Sequence, residues 1–414
     1  MSMDNQFPSL PCFKAYDVRG RVPDQLDEKL ARRIGMAFAA HFTPKTVAVG
    51  HDIRLSSPAL CRALAEGFSE AGVDVLHLGQ CGTEEIYFVK EMERLAAQGP
   101  FTPKSKSGTL TTIDNRPAYI QHLLGYVARD KLKPLRLVVN AGNGCAGAII
   151  DQLEKELPFS FIKLLHEPDG SFPNGVPNPL LPENRAITAK AVRETGADLG
   201  IAWDGDFDRC FFFDESGAFI EGYYIVGLLS QAILAGHPGE KIIHDPRLVW
   251  NTREIVRKAG GIPVMSKTGH AFIKERMRRE NAIYGGEMSA HHYVRDFSYC
   301  ESGMIPWLLI TDLRSPSARP LSSMVREAMA AYPVSGEINS RVADPDAVIA
   351  AIEEKYRNQG EYDYTDGLSC ATPSYRFNIR KSNTEPVLRL NVETRGDRAL
   401  MEKVRDDLLS MIQP

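Results

Sequence analysis

Two short apolar runs, Leu199-Gly-Ile-Ala202 and Cys210-Phe-Phe-Phe213, enclose the hexapeptide Asp204-Gly-Asp-Phe-Asp-Arg209. Runs of this kind read as buried strands, so the loop joining them carries its three carboxylates at a strand end. Asp204, Asp206 and Asp208 are too close in sequence to sit apart, and an extended or turning loop converges them on one point. Unpaired like charges repel, so the cluster calls for a cation. Ligands that are all oxygen favour a hard ion, Mg²⁺ first. Arg209 then reaches the phosphate or sugar that the metal addresses. The competing reading is a solvated acidic turn; three aspartates spaced this way before an arginine favour the ligand reading.

The preceding chain alternates helix and strand. An amphipathic helix is expected over Asp27 to Phe42, a strand at Thr46 to Gly50, and a helix opened by Ser57-Pro58 and running to about Ala71. Val73 to Leu78 reads as the next strand and Thr83 to Ala97 as one helix. Such alternation predicts a further buried strand, and none arrives. Gly99 to Arg116 is instead polar and reads as loop, before a helix at Pro117 to Val127. A loop of that length is unusual inside a compact α/β unit, so the first unit is short of a strand.

A second unit runs from the strand Leu135–Val139 through a glycine-rich loop, a helix at Ala148 to Leu157, a strand at Phe159 to Leu165 and the acidic cluster, closing near Ala218. The loop Asn140 to Gly147 lacks the Lys-Ser/Thr and G-x-G-x-x-G signatures of nucleotide cradles, which favours a tight strand-to-helix turn. A third unit contains the strands Lys241–His244 and Pro263–Met265 and the segment Lys267-Thr-Gly-His270. Glu287, Ser289 and His291 follow at alternate positions of a strand or loop; alternation aims all three at one side, suiting sugar hydroxyls and proton transfer. A purely structural histidine is the alternative there. In the last unit, from about Val334, a loop Arg380 to Pro386 joins two strands. Its Arg380, Ser382, Asn383 and Thr384 make a phosphate clamp that needs no metal; a plain hairpin turn is the alternative.

Composition narrows the partners. A net charge of −4 over 414 residues argues against a nucleic-acid or anionic-membrane surface. Seven scattered cysteines without a C-x-x-C pair, no signal-like N-terminal segment and no membrane-length apolar run are expected of a soluble cytoplasmic protein.

From Cys12 to Ile412 the chain resembles the bacterial phosphomannomutase/phosphoglucomutase family of the α-D-phosphohexomutase superfamily. The resemblance is carried by Ala15-Tyr-Asp-Val-Arg-Gly20, Asp204 to Arg209, Lys267 to His270, Gly286-Glu-Met-Ser-Ala-His291 and Arg380-Lys-Ser-Asn-Thr-Glu-Pro386. It implies an α/β protein with three related mixed-sheet domains and a smaller C-terminal α+β domain around a central cleft. The corresponding boundaries are 1–130, 131–218, 219–333 and 334–414. It also implies mannose or glucose 1- and 6-phosphates as partners and, for the phosphomannomutase type, conversion of mannose 6-phosphate to mannose 1-phosphate through a hexose 1,6-bisphosphate, which serves as activator. By the same resemblance Asp204, Asp206 and Asp208 hold Mg²⁺, Glu287 and Ser289 read sugar hydroxyls, and Arg380, Ser382, Asn383 and Thr384 grip the distal phosphate. Arg19, Arg209, Lys267, His270 and His291 match positions near the reacting group.

One departure stands out. Family members carry a phosphoserine in a Thr-Ala-Ser-His-Asn-Pro loop of the first domain, and no such sequence occurs in this chain. Glu84-Glu-Ile-Tyr-Phe88 runs straight into Val89-Lys-Glu-Met-Glu-Arg94, so the expected strand and the nucleophile loop are missing together. Ser105 and Ser107 lie nearby without the following His-Asn. The expected consequences are weaker Mg²⁺ binding, a less stable first domain and impaired or lost turnover. Two other readings stay open: a non-catalytic hexose-phosphate-binding protein, and a haloacid-dehalogenase-type phosphatase with Asp204 as nucleophile, for which the residues after Asp206 fit poorly.

Overall fold

A computed structural model describes residues 10–13, 18–86, 108–317, 319–381 and 387–413. Ser105, Ser107, Ser382, Asn383, Thr384 and most of the helix expected over Thr83 to Ala97 lie outside the described residues. Four sheets follow one another along the chain. Among the described residues no helix is long and apolar enough to cross a membrane.

The first unit has helices α1 (Glu28–Phe42) and α2 (Ser57–Glu70) against strands β1 (Thr46–His51), β2 (Asp74–Gln80) and β3 (Leu110–Thr112). Asp27 caps α1 by accepting the Leu30 N–H at 2.7 Å. Ser57 instead gives its hydroxyl to Asp52 at 2.5 Å, so α2 opens without a side-chain cap at Ser56. β3 corrects the expectation of an unbroken loop from Gly99 to Arg116. It pairs parallel to β2 with Val75 opposite Leu110, yet all three of its residues are exposed. Backbone pairing and the Asp74 carboxylate, which accepts from Thr109 N and Oγ1, make this strand, and neither leaves an apolar pattern to read.

The second and third units share one topology. In the second, β4 (Arg136–Asn140) lies between β5 (Ser160–Leu164) and β6 (Leu199–Trp203), and β7 (Cys210–Phe213) and β8 (Phe219–Ile220) extend the sheet antiparallel. β8 carries this sheet past the expected limit at Ala218. Helices α3 (Arg116–Leu124), α4 (Ala146–Leu153) and α5 (Ala186–Thr195) accompany it. In the third, β9 (Lys241–His244) lies between β10 (Ile262–Met265) and β11 (Tyr284–Gly286), followed by antiparallel β12 (His292–Val294) and β13 (Cys300–Glu301). Its helices are α6 (Gly222–Gly236), α7 (Trp250–Lys258), α8 (His270–Glu280), α9 (Met304–Ser317) and α10 (Leu321–Ala331).

In both units the first strand is central, and the third strand pairs with it and leads into a loop that carries candidate site residues. In the first unit β1 pairs with β2 alone among the described residues, and the third strand β3 sits on the far side of β2. Among the described residues, the strand corresponding to β6 and β11 therefore has no counterpart beside β1.

The last unit is an antiparallel sheet in the order β14 (Ile338–Arg341), β18 (Val387–Thr394), β17 (Tyr375–Lys381), β16 (Leu368–Ala371), β15 (Glu361–Asp363), with helices α11 (Pro345–Lys355) and α12 (Arg398–Ile412). Its core, around Phe377, Ile379, Leu390 and Leu408, is separate. The second and third units share one core, in which Trp203 meets Trp307 edge to face at 6.5 Å.

Candidate active site

All four units contribute to one cleft of about 610 Å³, whose wall includes Thr83, the Asp204–Arg209 loop, His270, Glu287, Ser289, His291 and Arg380. Each loop is held by packing from a neighbour. Phe207 is fully buried in the left-handed region (φ 48°), with its ring where a side chain on Gly82 would stand. The glycine-rich turn after β4 closes on the same loop: Cys145 N donates to the Gly205 carbonyl at 2.9 Å. Opposite, an antiparallel bridge joins Arg209 to His291, and Cys210 N donates to Ala290 O at 3.2 Å, so the acidic loop and the Glu287–His291 loop are fastened together.

Asp204, Asp206 and Asp208 bring carboxylate oxygens within 4.8 Å of one another, about the span across a hard cation with ligands at roughly 2.1–2.5 Å. Burial pushes the Asp204 carboxyl up to about 6; Arg209 opposes the shift and Asp208 adds to it. Burial and Asp204 also raise Asp206. Arg209 Nε donates to Asp204 at 2.8 Å and lies 3.8 Å from Asp208, one guanidinium against three carboxylates. The excess negative charge and the all-oxygen donor set fit a divalent cation such as Mg²⁺.

Glu287, Ser289 and His291 do meet on one side, but through a tight loop between β11 and β12 rather than by strand alternation. Ala290 takes φ 69°, its N–H donates to Glu287 O, and Glu287 N donates to His291 O, each at 3.0 Å. Glu287 is 2 % exposed and accepts from Gly269 N at 3.0 Å and the Tyr293 hydroxyl at 2.6 Å. Ser289 Oγ lies 3.2 Å from His291 Nδ1. The two histidines are driven apart in proton affinity. Burial lowers His291, but Asp208 and Glu287 outweigh it and the net shift is upward. Burial and Lys274 push His270 down.

Arg19 lines the cleft with its backbone N–H on Cys12 O at 2.7 Å. Lys267 does not line it: in the loop that follows β10, Ser266 and Thr268 are buried while Lys267 between them is exposed, its ammonium 5.0 Å from the Phe272 ring centre. Arg380 lies on β17 itself, buried, not in the loop after it. It shares Glu337 with Arg247 and Arg389 at 3.4, 3.2 and 3.1 Å respectively. Sequence reasoning missed Arg247, Arg389, Glu337, Asp52, Arg54 and Thr83. The signal for Arg247 is the charged pair Asp245-Pro-Arg247 at the end of the buried strand β9.

Comparison with known proteins covers nearly the whole chain. Models of the phosphoglucomutase/phosphomannomutase family match as alpha/beta/alpha domain I over residues 11–99, domain II over 117–217, domain III over 221–332 and the C-terminal domain over 337–411. Phosphohexose mutases of Xanthomonas campestris are 54% identical over 98% of this chain and 100% of their own. A phosphomannomutase of Salmonella typhimurium is 54% identical over 97% of this chain and 99% of its own. One from Escherichia coli K12 is 51% identical over the same shares. The Xanthomonas alignment runs over 451 positions against 414 residues here, which leaves at least 37 positions without a residue in this chain. Among solved structures, a phosphoglucomutase/phosphomannomutase family protein of Burkholderia thailandensis has a TM-score of 0.84 at 28% identity, covering 98% of each chain. N-acetylphosphoglucosamine mutase of Aspergillus fumigatus, in complex with GlcNAc-6P and magnesium, shares the fold with a TM-score of 0.61 at 14% identity, over 90% of this chain and 83% of its own.

Proposed function

This chain belongs to the phosphoglucomutase/phosphomannomutase family as a phosphohexomutase of phosphomannomutase type, and from that premise we propose that it binds mannose phosphates but turns them over poorly. The observation that carries this reading is a cleft assembled from four units beside a first unit in which, among the described residues, no strand corresponds to β6 and β11. In the second and third units that strand delivers the metal loop and the hydroxyl-reading loop. By the same plan, the missing strand of the first unit delivers the phosphoserine loop, whose sequence this chain does not contain. The positions unfilled in alignment with full-length relatives support the same conclusion.

Asp204, Asp206 and Asp208 hold Mg²⁺ in this proposal; bound there, the ion polarises a phosphoryl oxygen and offsets charge on the transferring group. Glu287 still has free lone pairs after its two hydrogen bonds and accepts sugar hydroxyls, with Ser289 beside it. Arg380, with Ser382, Asn383 and Thr384 following it, receives the distal phosphate; Arg19 and Lys267 serve the reacting end, Lys267 only after its side chain swings inward. His291, held toward its charged form, suits proton donation to a sugar oxygen. His270, held toward its neutral form, suits proton acceptance. Transfer also needs a hydroxyl that carries phosphorus between the two sugar oxygens, and the family's serine for that task is absent. Hexose 1,6-bisphosphate is then a ligand without its usual acceptor, and turnover falls by orders of magnitude. The seven cysteines, all free and buried, support a cytoplasmic setting.

The test compares this chain with a version carrying the serine loop and its strand, in a coupled mannose 1-phosphate isomerisation assay with Mg²⁺ and a hexose 1,6-bisphosphate. Restored turnover beside saturable mannose 6-phosphate binding by both is the expected result. Full turnover by the chain as it stands rejects the reading.

A further inference from the structure

The first unit has lost the phosphoserine loop, yet it still places an oxygen on the acidic cluster. Thr83 opens the helical turn after β2 and gives its hydroxyl to Asp206 Oδ2 at 2.6 Å. Its backbone N–H donates to the Asp206 carbonyl at 3.3 Å, so the residue is tied to the acidic loop twice. Gly82, just before it, accommodates the Phe207 ring, and Glu84, just after it, holds Gly303 N at 2.5 Å. The position of Thr83 is thus fixed by the fully buried groups on either side of it. Thr83 also lies on the wall of the cleft together with all three aspartates.

We propose that Thr83 Oγ is a ligand of the divalent cation held by Asp204, Asp206 and Asp208, taking the coordination place that the family's phosphoserine oxygen fills. This rests on the reading of the three aspartates as a metal site. The geometry favours ligation over a mere brace. Two oxygens at neighbouring corners of an octahedron with ligands at about 2.1 Å stand about 3 Å apart. The 2.6 Å between Thr83 Oγ1 and Asp206 Oδ2 reaches that separation by a shift of a few tenths of an ångström. A hydroxyl is a hard oxygen donor and keeps its proton when it ligates, so it adds a bond without adding charge. The hydrogen bond it now gives to Asp206 is redirected to a neighbouring carboxylate oxygen or to water. In consequence the chain keeps a usable cation site without the phosphoserine, and removal of the Thr83 hydroxyl weakens that site.

The test is titration of Mg²⁺ and Mn²⁺ into the unaltered chain, Thr83→Ser, Thr83→Val and Asp206→Asn by calorimetry, with folding checked by thermal melting. Unaltered affinity in Thr83→Ser and a loss of about tenfold or more in Thr83→Val is expected. A residue that only braces a ligand also costs about 10- to 100-fold, so a second readout separates the two. In Thr83→Cys a sulfur ligand prefers a soft ion, and Cd²⁺ then shows an ultraviolet sulfur-to-metal charge-transfer band above that of the unaltered chain. Cd²⁺ binding without that band, or equal Mg²⁺ affinity in Thr83→Val and the unaltered chain, overturns the assignment of Thr83 alone. Failure of the unaltered chain to bind any of the three ions, in a preparation that still binds mannose 6-phosphate, overturns the metal site and Thr83 with it.

Discussion

The carboxylate of Glu84 accepts the backbone N–H of Gly303 at 2.5 Å, so a residue of the first unit holds the start of a helix in the third. Met304 N at 3.3 Å, the Tyr119 hydroxyl and the Ser302 side chain also donate to it. Burial pushes this carboxyl up from 4.5 to about 8, against the pull of those donors. Between those values the folded chain keeps a proton that the unfolded chain has released. The stabilisation is therefore full below the unfolded pKa and is lost as pH rises through the folded one, with a slope of up to about 1.4 kcal/mol per pH unit. The denaturation midpoint of the unaltered chain is expected to fall, relative to Glu84→Gln, between about pH 5 and pH 8. A difference that stays flat across this range contradicts the assignment.

Arg247 is the sole guanidinium bonded at once to Asp245 at 2.8 Å and Glu337 at 3.2 Å, with Glu287 at 3.5 Å, among the described residues. All four groups are 2–3 % exposed in their side chains. Coulomb attraction to Asp245, Glu337 and Glu287 more than offsets its burial and raises its proton affinity. Arg247→Ala leaves three buried carboxylates short of a partner and is expected to destabilise the chain by about 3–5 kcal/mol in urea. Loss of hexose-phosphate binding should accompany it, because the same guanidinium reaches Ser289 at 3.2 Å. A change below about 1 kcal/mol places this residue with ordinary surface salt bridges.

The acidic cluster was legible because its chemistry is local: three like charges in five residues demand one explanation wherever the loop goes. The α/β order was legible for the same reason, as β4, β6 and β9 each bury nearly every side chain. β3 was hidden because pairing to one neighbour creates it while its side chains stay in water. Arg247 and Glu337 were hidden for a different reason. Their meaning depends on a contact across 90 residues of sequence, which the Asp245-Pro-Arg247 pair alone does not reveal. Lys267 was placed by resemblance, and in the loop after β10 its side chain is exposed, away from the wall.

Divalent cation should stabilise the folded chain by mass action, by about 2.7 kcal/mol at a concentration one hundred times the dissociation constant. Asp208→Asn removes one charge and one ligand atom and is expected to lose most of that increment. It should also lower the proton affinity of His291, whose Nε2 lies 3.7 Å from Asp208. Thermal melting with and without a chelator measures the first effect, and the imidazole titration by NMR the second. Equal metal-induced shifts in both proteins contradict a ligand role for Asp208.

The first unit should be the least stable part of the molecule, and amide exchange can show it. Among the described residues its buried core cluster comprises Ala39, Val49, Cys61, Ala65, Phe68, Val73 and Val75. Eight of the thirteen large apolar side chains exposed among the described residues lie between Phe13 and Leu110, including Phe38 and Phe42 on α1. β1 pairs with β2 alone among the described residues, so alternate N–H groups along it face an edge without a strand partner. Its equivalents β4 and β9 have a strand on each side. Opening of the first unit therefore exposes less apolar surface and breaks fewer ladders than opening of the shared core of the second and third. The amides of Val47 to Val49 are expected to exchange faster than those of Leu137 to Val139 and of Ile242 and Ile243, in the native state without denaturant. Insertion of the third strand beside β1 should slow the former group and leave the latter two unchanged. Equal protection in all three strands contradicts the account of a weakened first unit, whatever the turnover of the repaired chain.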